Sequence, residues 1–521
     1  MGAAVPERGD RDLNGPSYQR PPERHGALEP RGLEAAARAP AGRGRFGRMF
    51  PNLRPYEPDD GLLERLAARM VDGRGADHPE LPAGYTYFGQ FVDHDVTFDP
   101  TSSLRRPEDP ERLEDFRTPR LDLDAVYGSG PRDLPFLYDL QAEPPGALLL
   151  VGDSRAQFGP GFAAEDLPRN ARQRALVGDP RNDENTVIAQ LHLAFLKFHN
   201  RLARALAGGA YAAHWSGARD ELFEEARRIV RWHYQWLVVE DFLPRVVPAG
   251  LVRGLLGLDR AGTAEMRRFD PRRRWLDRDG DVFMPVEFSA AAYRFGHSLV
   301  RPSYQLNDGT GSLPVVVAHP DLDPAAPTHL GGLRALPEGL VVDWARFLGA
   351  DAQPARAIDT HLSRTLARLP GELGTEVPNR SLAWRNLVRG KRLGLPSGQA
   401  VARAIGETPL DDSALRLAGA AAPLWFYVLA EAETVGEGRH LGPVGSAIVA
   451  EVLLGLVDAD PESFLSVDPT WAPFLGDTPG RFTLSDLVTY AGGGHEPPER
   501  HPGTRAGSGG AADLRPAPRR P

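Results

Sequence analysis

The sequence predicts a mainly α protein: one large helical domain with few short strands and long loops. Three observations lead there. Apolar residues recur with a helical period in segment after segment between residues 60 and 491. Only two stretches, 147–152 and 313–318, read as strands. The connections are rich in Pro and Gly, and no repeat or low-complexity linker divides the middle of the chain.

Taken in order, the helical segments are 60–72, 84–96, 184–208, 217–243, 287–300, 341–349, 355–368, 380–391, 411–431, 443–457 and 483–491. Asn182 or Asp183 is placed to cap the helix carrying Glu184, and Thr483 to open the last one. Residues 1–48 are rich in Pro, Gly, Arg and Glu without an apolar period, and read as a disordered arm. Residues 496–521 read the same way, which leaves 49–495 as the folded domain.

At 521 residues the chain can bury a large core, and 41% hydrophobic with 25% charged residues is a globular composition. The net charge of -9 gives no basic stripe for nucleic acid. The absence of cysteine excludes disulfides, zinc-thiolate sites, thiolate haem ligands and cysteine nucleophiles together. The first residues lack the apolar core of a signal peptide, and no stretch reaches the ~18 apolar residues needed to span a bilayer, so a cytoplasmic protein is expected. Oligomeric state is open.

The chemistry concentrates in Gly89-Gln90-Phe91-Val92-Asp93-His94-Asp95. Gln90, Asp93 and His94 are spaced i, i+3, i+4 and share a helix face, while Asp95 lies about 100° further round. A polar face flanked by Phe88, Phe91 and Val92 implies a dry pocket holding a titratable group. Three readings compete: a buried structural histidine held by a carboxylate, a phosphohydrolase metal site drawing on His192 and His199, and a haem pocket.

Further segments bear on that choice. They are Arg117-Thr118-Pro119-Arg120-Leu121-Asp122-Leu123-Asp124, Gly178-Asp179-Pro180-Arg181-Asn182-Asp183-Glu184-Asn185, Phe198-His199-Asn200-Arg201, Tyr293-Arg294-Phe295-Gly296-His297 and Asn386-Leu387-Val388-Arg389-Gly390. In this order they resemble the animal-type haem peroxidases, the superfamily that also includes cyclooxygenases and fatty-acid dioxygenases. The resemblance covers roughly residues 50 to 490.

The resemblance implies haem b as cofactor, and H2O2 plus a small reduced donor (a phenol, an aromatic amine or a halide) as partners. It implies His94 as the acid/base over the iron, which suits a neutral imidazole. Arg181 then supplies a fixed positive charge for peroxide cleavage, and Gln90 lines the pocket. His297 is implied as the iron ligand, Asn386 as the partner of its other nitrogen, and Arg294 and Arg389 as propionate contacts or braces for Asn386. Asp93 and Glu184 stand where mammalian members esterify haem methyl groups. Asn185 stands where some add a methionine sulfonium link, which is therefore expected to be absent. His192, His199, Asn200 and Arg201 carry no assigned role beyond packing and hydrogen bonding.

Asp95 with Thr118, the Arg120 carbonyl, Asp122 and Asp124 offers a hard oxygen set suited to Ca2+. Family members often carry Ser at the position of Asp124. Two rivals remain. A fatty-acid dioxygenase or diol synthase of the same superfamily needs a radical tyrosine; cyclooxygenases place it three residues before the iron ligand, where Arg294 stands, and Tyr293 is one position off. A non-enzymatic haem-binding or adhesion protein would not need His94, Arg181 and His297 together.

Overall fold

The computed structural model describes residues 44–494 except 72–73, 103, 212–213, 216, 218–220, 258–281, 316–326, 368 and 370–380. The tail expected over 496–521 and the arm up to residue 43 lie outside the described residues. Residues 44–48, assigned from sequence to the arm, are instead ordered. Phe46–Gly47 forms a strand, and the Arg48 guanidinium donates to the carbonyls of Gly394 and Leu393 at 2.9 Å.

Helices dominate. Those of nine residues or more are α1 (Asp60–Met70), α2 (Gly84–Val96), α3 (Thr186–Ala207), α4 (Leu222–Trp236), α5 (Leu382–Arg392), α6 (Leu424–Thr434), α7 (Pro443–Ala459) and α8 (Leu484–Gly492). α3 is buried along nearly its whole length and packs against α2, α4 and α8. Local chemistry sets the helix starts. Asp59 and Ser381 cap α1 and α5, and Thr483 opens α8 in a capping box with Asp486. α3 begins later than expected: Asn185, not Asn182 or Asp183, is its cap, and Glu184 sits outside the helix.

α4 continues through a π-helical stretch, Leu237–Phe242, into Leu243–Val246. The widened turn carries two residues that meet α2. Tyr85 donates to Asp241 at 2.7 Å, and the Phe242 ring stands edge-on to Phe88. A Cβ at position 89 would come within 3.1 Å of Phe242, so Gly89 lets the two helices approach closely.

Strands are short: β1 (Phe46–Gly47), β2 (Asp77–Pro82), β3 (Tyr138–Asp139), β4 (Leu148–Leu149), β5 (Met284–Pro285), β6 (Ser303–Tyr304), β7 (Leu313–Pro314) and β8 (Pro354–Arg356). They pair as β1–β5 in parallel, and as β2–β8, β3–β4 and β6–β7 antiparallel. The strand expected over 147–152 exists in shortened form as β4; of the one expected over 313–318, Leu313–Pro314 forms β7 and 316–318 lie outside the described residues.

Four helical expectations change. Segment 287–300 is a short turn, Val286–Ser289, followed by the 3-10 segment Ala292–His297. Its residues are buried on nearly every side, so no single face fixes a helix, and Ala291 leaves helical geometry at φ -136, ψ -79. The described part of segment 355–368 forms no α-helix either, only the 3-10 turn Arg364–Ala367. Its backbone N–H groups go to distant carbonyls, Ile358 to Gly438 and Leu362 to Met70, after β8 has paired with β2. Segment 341–349 shrinks to Ala345–Leu348, and 411–431 splits into Asp412–Leu415 and α6 around Pro423.

Candidate active site

His94 sits in the last turn of α2 and is 4% exposed. Its Nδ1 lies 2.8 Å from Asn182 Oδ1. An amide oxygen only accepts, so Nδ1 carries the proton and Nε2 keeps its lone pair. Burial, then the nearby Arg181 charge, pushes the imidazole down to about 3, so it stays neutral in ordinary buffers. The Nε2 edge faces Glu184, whose Oε1 is 4.0 Å away. Gln90, one turn earlier, donates to the same carboxylate and accepts from Asn185 at 3.5 Å. Asp93, on that face, accepts from Thr97 Oγ1 at 3.1 Å.

Arg181 comes from the 3-10 turn Pro180–Asp183, opened by Asp179 as cap with Pro180 in the first position. The Asp179 carboxylate receives the backbone N–H, Nε and Nη2 of Arg181 at 2.7–3.2 Å, and also Nε and Nη2 of Arg117 at 3.1 and 2.5 Å. Burial would raise this carboxyl, but the two guanidiniums outweigh it and hold it low. Arg181 Nη2 also donates to the carbonyls of His94 and Thr97. Its Nη1 makes no hydrogen bond with the described residues and is free for a ligand.

On the other side, His297 ends the 3-10 segment. Its Nδ1 is 2.9 Å from Asn386 Nδ2, while Asn386 Oδ1 accepts from Arg294 at 3.1 Å. Trp425 of α6 donates to the Arg294 carbonyl and stands edge-on to the His297 ring. Burial, then Arg294, pushes the imidazole down to about 3. Its Nε2 makes no hydrogen bond with the described residues. A Cβ at Gly296 would meet nothing within 4 Å, so there is open space beside this histidine. Arg389, one turn after Asn386 on α5, donates to Ser102 at 2.5 Å and lies 3.5 Å from Asp99.

The two sides share one electrostatic environment. Burial raises the Asp93 carboxyl, opposed by Arg294 and then Arg181. The Arg294 guanidinium is pushed down to about 10 by burial and then by Arg389. Tyr293, beside Arg294, donates to the Gly89 carbonyl at 3.2 Å. Glu184 is 47% exposed, yet desolvation lifts its carboxyl to about 7.

Asp95 points off that face, as expected. It is fully buried and accepts from the Leu123 backbone at 3.2 Å. One carboxylate oxygen each from Asp95, Asp122 and Asp124 lie within 4.8 Å of one another. Oδ1 of Asp95 and Oδ1 of Asp124 are buried without hydrogen bonds. Thr118 Oγ1 bonds Asp122 at 2.9 Å, and the Arg120 cation is drawn away to Asp460 at 3.6 Å. Burial, then like carboxylates, raises the Asp95 carboxyl. Burial lifts Asp124 to about 7 against the opposing Arg117. A cation would relieve both strains.

The expected residues therefore gather around one charge cluster, in which Arg294 and Arg181 both act on Asp93, and one neighbouring acidic cluster. Two expectations shift in detail: His297 stands on a 3-10 turn, not an α-helix, and Gln90 is engaged with Glu184. Three contributors lie outside the expected set: Asp179, Asn182 and Arg117. All three stand inside the quoted motifs, Asn182 as a candidate cap, and an Asp before Pro is a cap signal. His192 meets Asn182 at 3.1 Å. His199 serves structure, between the Tyr127 hydroxyl and the Ala147 carbonyl, and Asn200 pins β4 through both backbone groups of Leu149.

Known proteins share much of this architecture. The family described as animal haem peroxidase matches residues 105–414, which include Arg181, His297 and Asn386 but begin after α2. Human thyroid peroxidase is 29% identical over 231 residues, 42% of this chain and 21% of its own length. The chain thus spans about a fifth of that relative. Among solved structures, peroxidase A from Dictyostelium discoideum superposes with a TM-score of 0.59 at 16% identity, over 87% of this chain and 95% of its own. A fatty acid alpha-dioxygenase from Arabidopsis thaliana gives 0.54 at 15%, over 86% and 76%. At these identities the structural likenesses speak for the fold alone.

Proposed function

Because the chain belongs to the animal haem peroxidase family, we propose that the recess between His94 and His297 binds haem and reduces H2O2 to water at the expense of a small donor. The observation that carries the proposal is a neutral His94 with Nε2 bare and Arg181 with Nη1 free, in the same charge cluster as an unengaged His297 Nε2.

The residues fit the group. The open space at Gly296 and the desolvated yet half-exposed Glu184 describe a recess that protein side chains leave unfilled. His297 offers Nε2 to iron. A ring that ligates through Nε2 holds its proton on Nδ1 and needs an acceptor there. Turned over, the Asn386 amide would present its oxygen to that proton, and Arg294 would then be available to a haem propionate. Arg389 gives a second cation for that edge. Bound haem supplies the electrons that split the peroxide and recovers them from the donor.

The chain's residues handle the protons and the charge. His94 Nε2 takes the proton from the near oxygen of H2O2 and returns it to the far oxygen, which leaves as water. Arg181, which cannot lose its proton, stabilises the negative charge that develops as the O–O bond breaks. Two electrons and two protons from donor molecules complete the second water. Asp93 and Glu184 are the carboxylates for ester links to haem, and Asp95, Thr118, the Arg120 carbonyl, Asp122 and Asp124 hold Ca2+. The folded domain runs from residue 44 to about 495 in this proposal.

Purification with an absorption spectrum, stopped-flow mixing with H2O2 and guaiacol oxidation test it. A Soret band that shifts on peroxide is expected. A haem-loaded protein with no Soret change and no guaiacol turnover would leave only the binding-protein reading. Acid-acetone extraction after turnover reads the ester links: haem that stays with the protein supports them.

A further inference from the structure

The proton transfer assigned to His94 works only if Nε2 is bare, and His94 cannot set this by itself, since a neutral imidazole has two tautomers. Asn182, fully buried, uses both ends of its amide on histidines. Oδ1 is 2.8 Å from His94 Nδ1, and Nδ2 is 3.1 Å from His192 Nδ1. The amide thus reads two rings that come from different helices. If it turned over, Nδ2 would donate to His94, the ring proton would move to Nε2, and that nitrogen could no longer accept. His192 is 1% exposed, and its ring is held edge-on by Phe91 of α2. With its Nδ1 unprotonated it accepts from Nδ2 at 3.1 Å, and that pairing goes with the amide orientation that leaves His94 Nε2 bare.

Resting on the haem-peroxidase reading, we propose that Asn182, oriented by His192, is a positioning residue that locks His94 in the Nδ1–H tautomer required to accept a proton from peroxide. Neither residue touches peroxide or haem in this assignment; both act through His94.

The test compares two oxidants on the haem-loaded full chain. H2O2 needs the base to remove its proton. A more acidic peroxyacid reaches its anion in solution and depends on the base far less. Asn182→Leu removes the acceptor at similar size, and the Soret response to H2O2 is expected to slow by about 10–100-fold. The peroxyacid response is expected to slow much less, with haem stoichiometry unchanged. Asn182→Asp keeps an acceptor toward His94 and restores most of the H2O2 rate. His192→Phe frees the amide to turn and gives a partial loss of the same selective kind, so the proposal stays testable if Asn182→Leu does not fold. Equal slowing with both oxidants, or no slowing with either, overturns the positioning role. A wild-type chain that binds no haem, or whose haem ignores H2O2, overturns the haem-peroxidase reading itself and is told apart by the wild-type control.

Discussion

Asp179 holds Arg181 by three groups at once, accepting its backbone N–H at 2.8 Å, its Nε at 3.1 Å and its Nη2 at 2.7 Å. The same carboxylate also pairs with Arg117. Asp179→Asn keeps the shape and loses the charge. Leaving the buried Arg117 and the partly buried Arg181 short of a partner is expected to cost about 3 kcal/mol, read as a clear drop in Tm. The rate with H2O2 should fall by roughly 10–100-fold because Arg181 loses its orientation. A variant with wild-type Tm and rate would show that Arg181 is held by the His94 and Thr97 carbonyls alone.

His297→Ala should abolish stable haem binding, seen as loss of the Soret band relative to protein absorbance. Asn386→Leu should keep the haem but weaken its hold by about 10–100-fold, through loss of the partner at Nδ1. Full haem content in purified His297→Ala would put the iron ligand elsewhere.

His233 is fully buried, with Nδ1 donating to Ile229 and Nε2 bare among Trp471, Phe474 and Phe482. Burial pushes its imidazole down to about 3, so the fold tolerates only the neutral ring. The contribution is intact above the unfolded value near 6.5. It is lost as pH falls from there toward 3, by up to ~1.4 kcal/mol per pH unit, because the unfolded chain takes up the proton first. His233→Phe removes this dependence. Urea midpoints at pH 7.5 and 5.5 should show the variant gaining on the wild type by about 1 kcal/mol at the lower pH. A constant gap would mean the ring is not held neutral.

Asp95 Oδ1, buried without a hydrogen bond, and Asp124 Oδ1, faced by Arg117 at 3.5 Å, lead to a prediction about metal removal. The purified protein should carry about one Ca2+ per chain, by the oxygen-ligand chemistry of that cluster. Chelation should lower Tm and slow the reaction with H2O2, since Asp95 adjoins His94 and Asp124 lies 3.5 Å from Arg117. Asp122→Asn should weaken calcium uptake. Elemental analysis that finds no calcium, with a Tm indifferent to chelator, would remove the ion from the scheme.

Tyr293 discriminates the oxygenase alternative. Its ring stacks on Phe288, and its hydroxyl donates to the Gly89 carbonyl. Tyr293→Phe should cost about 1 kcal/mol of stability and leave guaiacol turnover within about twofold. Oxygen uptake with linoleate that disappears in this variant would favour fatty-acid oxygenation.

The helices legible in the sequence are those with one apolar face and a clear cap, such as α1 behind Asp59 and α8 behind Thr483. Segments buried on every side carry no usable period, which is why the approach to His297 reads as helix and folds as a 3-10 turn. The segment after Pro354 misleads for a different reason: its N–H groups bond residues roughly 80 and 290 positions away, which no local pattern announces.

The site divides in the same way. His94, Arg181, His297 and Asn386 are readable because each stands in a motif of fixed spacing. Asp95 is separated from His94 by the 100° step of the helix alone, and it does face Leu123. The contact from Asn182 to His94 and His192 is not readable. It joins residues 88 and 10 positions apart across a turn, and depends on which way one amide faces.

The parallel pairing of Phe46–Gly47 with Met284–Pro285 has a consequence for biosynthesis. Phe46–Gly47 leaves the ribosome roughly 240 residues ahead of its partner, and at about 5–20 residues per second it waits on the order of 10–50 s. The segment leading to His297 is thus closed by chain made long before it. The pairing therefore forms only once residues near 285 have emerged, and the approach to His297 settles against chain that is already waiting.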